Sequence, residues 1–119
     1  MQKLFDSELK VMELIWANEP ISAKEVSILA DKEFGWNKNT TYTVIKRLGE
    51  RGVLKNEDGK IRALVSKEDA QAREISVLVE EKFQGSLPAF VAAFAKRQDI
   101  SNKELDEVQR MIDRIRKGG

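Results

Sequence analysis

The stretch GWNKNTTYTVIKRLGERGVL, residues 35–54, holds a turn, a helix and the start of a strand. Gly35 and Gly52 each stand where a helix should stop, because glycine readily takes the left-handed conformation that closes one. Between them, at 100° per residue with Thr41 at zero, Val44, Ile45 and Leu48 fall within about 60° and form one core-facing stripe. Asn39, Thr43, Lys46 and Glu50 fall opposite, with Thr40, Tyr42 and Arg47 on the flanks. The spacing therefore predicts a helix from about Asn37 to Arg51, opening on a run of short polar side chains. Capping accounts for Asn37 and can account for Asn39. It does not account for Thr40, Thr41 and Thr43 together.

Upstream, two more helices are expected. The first runs from about Asp6 to Ala17, capped by Asp6 or Ser7, with Leu9, Val11, Met12, Ile15 and Trp16 at helical spacing. Pro20 disfavours helix at Glu19. The second begins at Ser22, where Ser22-x-x-Glu25 is a capping box, and carries Val26, Leu29 and Ala30. Downstream of Gly52 the period changes. VLKNEDGKIRALV, residues 53–65, reads as two short strands around Asp58-Gly59, a tight-hairpin signal.

Beyond Ser66 the pattern is helical again. A helix capped through Ser66-x-x-Asp69 carries Ile75, Leu78, Val79 and Phe83 and stops at Gly85. Leu87, Phe90, Val91 and Phe94 recur at i, i+3, i+4 and i+7, with Pro88 tolerated in the first turn. A last helix opens on the capping box Ser101–Glu104 and carries Leu105, Val108, Met111, Ile112 and Ile115. Three amphipathic helices in about fifty residues cannot bury all their stripes alone, which gives residues 66–119 a motive to dimerise.

The totals narrow the function. At 119 residues there is room for one domain, or a small domain with an appendage. The chain has no Cys and no His, so thiolate chemistry, the usual general base and the commonest metal ligand are all missing. No Gly-rich phosphate loop or carboxylate dyad stands out, and an enzyme is not expected; nor is any cofactor or metal. No apolar run could span a bilayer and no signal pattern opens the chain, so the expected location is the cytoplasm. The net charge of +1 hides a separation. Residues 1–36 carry four Lys/Arg against seven Asp/Glu; residues 37–62 carry seven against three. Such a cluster is commonly a solvated face, but it also suits a polyanion.

Helix, helix, helix and hairpin is the order of a winged helix-turn-helix: mainly α with a small β-hairpin wing, followed here by three further helices. In that architecture the second helix of the pair lies in the DNA major groove. Asn37, Lys38, Asn39, Thr40 and Thr43 are the residue types that read base edges there. Lys46 and Arg47 suit phosphates, and Lys60 and Arg62 flank the wing turn. Tyr42 is either a phosphate contact or a half-buried ring; Trp36 reads as packing at the turn. The rival reading is a protein-docking winged helix without operator-specific DNA binding.

LKVMELIW (9–16), ISAKEV (21–26), GWNKNTTYTVIKRLGERGVL and EDGKIRALVS (57–66) resemble the penicillinase repressor family, the bacterial repressors of β-lactamase and methicillin-resistance operons. The likeness covers the DNA-binding half and extends more weakly through the last helices. It implies a winged helix in residues 1–65, a helical dimerisation region in residues 66–119, and a homodimer on a pseudo-palindromic operator. In one branch of the family a membrane sensor protease releases repression by cutting an Asn-Phe bond. Ala93-Phe94 stands at that place here, without the Asn. Copper-responsive relatives end in Cys pairs, which this chain lacks. Thr41 replaces an aliphatic residue of the family's core stripe, and its hydroxyl is expected to bond back to a helix carbonyl.

Overall fold

A computed structural model describes residues 3–97 and 99–118. The first compact unit reaches to Leu78 and the second begins at Val79. The first contains α1 (Asp6–Asn18), α2 (Ala23–Phe34), α3 (Lys38–Glu50), the strands β1 (Leu54–Glu57) and β2 (Lys60–Ala63), and most of α4 (Lys67–Phe83). The second contains the end of α4, then α5 (Leu87–Ala95) and α6 (Asn102–Arg116).

Local chemistry explains where these elements begin and end. Ser22 Oγ accepts the Glu25 N–H at 3.1 Å and caps α2. The other half of the expected box is different: the Ser22 hydroxyl donates to the Glu25 carboxylate. Gly35 closes α2 at φ 70°, and Asn37 Oδ1 caps α3 through the Thr40 N–H at 2.8 Å. Asp58 and Gly59 both take positive φ, 53° and 78°, as a two-residue hairpin turn that matches strand twist demands. The antiparallel register pairs Leu54 with Ala63 and Glu57 with Lys60. Ser66, Ser86 and Ser101 cap α4, α5 and α6. The cap of α1 differs from the expectation. Neither Asp6 nor Ser7 caps it; the chain turns at Phe5, whose N–H donates to the Glu8 carboxylate at 2.9 Å.

The core of the first unit is continuous. Val11, Met12 and Ile15 of α1, Val26 of α2 and Leu48 of α3 are fully buried, with Val53 and Ile61 closing it from the hairpin. Thr41 is fully buried as well, and its hydroxyl points back to the Asn37 carbonyl at 3.4 Å, as a Thr on an apolar stripe must. Three contacts that the periodicity did not foreshadow fasten the hairpin. Ile21 forms a one-residue antiparallel bridge with Ile61, and the Glu19 carboxylate accepts the Ala63 N–H. Trp16 donates its indole N–H to the Val65 carbonyl at 2.9 Å. These contacts hold the wing against α1 and thereby set its angle to α3.

Gly52 joins α3 to β1 at φ 75°, with open space where a Cβ would sit. Sterics in the chain do not exclude a side chain there, but the backbone conformation does penalise it. Gly52→Ala is therefore expected to lower stability by about 1–2 kcal/mol, read as an earlier thermal transition. An unchanged transition would show that the turn can re-form with negative φ.

The second unit is open. No residue of α5 or α6 is buried. Phe83 meets Phe90 edge to face at 5.7 Å, and Phe90 lies 6.5 Å from Phe94. Leu87, Val91, Phe94, Leu105, Val108, Ile112 and Ile115 are all exposed. Within the single chain Phe94 is 49% exposed, with Arg97 over its ring. The i, i+3, i+4, i+7 pattern identifies a face; Phe90 packs on Phe83, while Leu87, Val91 and Phe94 stay exposed among the described residues.

Candidate nucleic-acid interface

Helix α3 divides its residues as the 100° projection requires. Thr41, Val44, Ile45 and Leu48 face the core. Lys38, Asn39, Thr40, Thr43 and Lys46 are exposed. Their exposure follows from α3's packing on α1 and α2, which leaves its amino-terminal turn projecting. Asn37 spends its side-chain oxygen on the cap and keeps its amide nitrogen outward-available as a donor. Thr43 donates its hydroxyl to the Asn39 carbonyl at 2.8 Å, which leaves the hydroxyl oxygen and the methyl as its outward chemistry.

An open depression of 450 Å³ brings Asn37, Asn39, Thr40, Thr43 and Arg47 together with Ser7 and Val44. Lys60 and Arg62 lie on β2 and are exposed, Lys60 reaching to 3.9 Å from the Glu25 carboxylate. The ion pair is solvent-exposed at both ends and is worth little. Tyr42 is half-buried against the core edge, with the Lys38 ammonium 5.5 Å from its ring centroid. Trp36 is also half-buried, tilted against Phe34 at 5.4 Å.

Arg47 differs from a free phosphate ligand. Its Nε donates to the Glu8 carboxylate at 3.1 Å and one terminal nitrogen donates to Ser7 Oγ at 3.1 Å. Arg51 donates to the other oxygen of Glu8. Glu8 is fully buried between them, while the Arg47 and Arg51 side chains keep 43% and 21% of their surface. Burial pushes the Glu8 carboxyl up. The Arg51 hydrogen bond, the Phe5 N–H and the Arg47 hydrogen bond together outweigh it and hold the group below its ordinary value of 4.5. The triad links α1 to the outer half of α3 and fixes the direction in which Arg47 faces the depression.

Ser7, Glu8 and Arg51 were absent from the residues expected at this surface. A signal for Glu8 was present: Glu8, Val11, Met12 and Ile15 sit at i, i+3, i+4 and i+7, so one carboxylate occupies the buried stripe. A buried carboxylate requires cations, and Arg47 on α3 with Arg51 at its C-cap offers two at i, i+4 spacing.

The penicillinase repressor family model matches residues 4–114. A penicillinase repressor of Staphylococcus aureus is 24% identical over 115 residues, covering 93% of this chain and 91% of the relative. The methicillin resistance regulatory protein MecI of Mammaliicoccus sciuri is 23% identical over 116 residues, covering 94% of each. Among solved structures, the DNA binding domain of the repressor BlaI is similar with a TM-score of 0.51 and 29% identity, over 58% of this chain and 93% of that one. Monomeric Bacillus licheniformis BlaI in complex with the blaP half-operator is similar with a TM-score of 0.50 at the same identity and coverage. On this match, spanning nearly its whole length, the chain belongs to the penicillinase repressor family.

Proposed function

We propose that the protein is a homodimeric transcriptional repressor that places α3 in the major groove of each half of a pseudo-palindromic operator. The observation that carries the reading is the exposed polar turn of α3 seated on a buried Thr41–Leu48 stripe. That arrangement presents donors and acceptors from a rigid element, which base reading needs. The half-operator complex of a relative with the same fold supports it. Asn39, Thr40 and Thr43, with Lys38 and the Asn37 amide, read bases. Lys46, Lys60 and Arg62 meet phosphates, and Arg47 does so from the fixed position that Glu8 and Ser7 give it. Residues 1–65 bind DNA and residues 66–119 dimerise.

The test separates the two kinds of contact. Asn39→Ala and Thr43→Ala are expected to cost about 1–3 kcal/mol of discrimination between a selected duplex and random DNA. Lys46→Ala and Arg62→Ala are expected to weaken binding to every duplex and lower the salt slope by about one each. Titrations at several salt concentrations read both. Equal loss on selected and random DNA for Asn39→Ala would place that residue outside base reading, and salt-independent binding would point to a protein partner instead.

Release by cleavage is a separate matter. Cutting at Ala93-Phe94 would remove α6 and split the apolar face of α5. Ala93 supplies no amide side chain for a protease that selects Asn, so no cut is expected there. Exposing the native host to a β-lactam and blotting for the repressor checks it; a fragment ending at Ala93 would reverse the expectation.

A further inference from the structure

We propose that the cleft between α3 and the wing binds a small aromatic carboxylate that takes Lys46 away from DNA. The cleft, 300 Å³ in volume, is lined by Ala23, Tyr42, Ile45, Gly49 and Leu54, with Lys46 and Asn56 as further polar groups. Its size stands at the lower end of small-molecule sites, about 300–1,000 Å³, and suits a two-ring body. Ile45 and Leu54 are buried beneath it and give it a firm apolar floor. Lys46 is its charged group, and among the described residues that ammonium has no ion-pair or hydrogen-bond partner. An apolar surface beside one uncommitted cation is complementary to an apolar body carrying one anionic group.

Gly49 is the independent pointer. It lies inside α3 without positive φ, and a Cβ there would meet only Leu54 Cδ1, at an ordinary 3.7 Å. Neither the backbone nor crowding requires glycine, although glycine weakens a helix interior relative to alanine. What glycine does provide is space, since a side chain at position 49 would project into the cleft. Tyr42, Lys46 and Gly49 are spaced i, i+4, i+7, so the recognition helix itself forms one wall. An occupant would engage the same lysine that the proposed repressor aims at phosphate. The consequence for DNA rests on that reading; binding to the cleft does not.

The experiment uses the full chain, isotope-labelled for amide NMR, with 1-naphthoate as the probe and 1-naphthalenemethanol as its uncharged counterpart. Saturable shifts are expected at residues 42–49 and 54–56, with the alcohol at least about tenfold weaker because the ion-assisted contact is lost. Lys46→Gln is expected to weaken naphthoate by a similar factor. Gly49→Ala should weaken it in part and Gly49→Leu should remove it, while both still bind a duplex selected from a random pool. Naphthoate should raise the concentration of wild-type protein needed to half-saturate that duplex, and leave Gly49→Leu unaffected. Shifts confined to the exposed faces of α5 and α6, equal binding of acid and alcohol, or full naphthoate binding by Gly49→Leu would each overturn the site. Loss of duplex binding with the naphthoate shifts intact would instead support the cleft and remove the repressor reading.

Discussion

Val108→Glu/Ile112→Glu is expected to turn the protein into a monomer and to weaken operator binding by about 10²–10⁴-fold, the range that linking two binding modules contributes. Both residues lie on one face of α6 with Leu105, Met111 and Ile115, and every one of the five is exposed in the single chain. A contiguous apolar face of this kind on a protein with a DNA-binding surface calls for a partner. A second copy is the partner that would match the pseudo-palindromic operator proposed above. Two carboxylates in that face would have to be desolvated in the dimer, whereas the monomer exposes them to water at little cost. The first unit has its own core and should be untouched. Sedimentation and duplex titration at one protein concentration read both effects. A variant that sediments as a dimer and binds its operator normally would move the interface elsewhere.

The caps and turns of this chain were legible in the sequence because each rests on one or two neighbouring residues. Ser22, Asn37, Ser66 and Ser101 cap through the N–H three residues on, and Asp58-Gly59 folds back locally. The α3 stripe was legible because periodicity is also a local property. What escaped was long-range. The Ile21–Ile61 bridge joins residues forty apart, and nothing in either strand-length run marks the pairing. The cap of α1 escaped for a related reason: Asp6 and Ser7 are good capping types, but Glu8 is drawn inward by Arg47 on α3 and Arg51 at its C-cap, and its carboxylate then reaches the Phe5 N–H. What orients Arg47 also escaped, because a helical wheel shows only its own helix. Its acidic partner belongs to α1.

Arg47→Ala/Arg51→Ala is expected to cost about 3–5 kcal/mol at neutral pH, the usual penalty for stripping the partner from a buried charge. The two guanidiniums are partly exposed, so their attraction for Glu8 is screened and is not the main contribution. The main contribution is Glu8 itself, which is fully buried and, among the described residues, would keep only the Phe5 N–H. The pH dependence distinguishes this from lost packing. In the wild type the folded-state value of Glu8 lies below 4.5. Its stabilisation is therefore complete above the unfolded value and is lost as pH falls through the folded one. In the double variant burial acts with little opposition and the folded value rises above the unfolded one. Its deficit is then full at neutral pH and disappears as the carboxyl becomes protonated. The gap between the two proteins should consequently narrow as pH is lowered from 7 to below 4.5. Adding Glu8→Leu to the double variant removes the charge and fills the space, and should recover most of the loss at pH 7. Denaturant titrations across that range are the measurement. A gap constant with pH, or a triple variant no more stable than the double one, would mean that the arginines stabilise α3 through their methylene packing and that Glu8 is not the group that needs them.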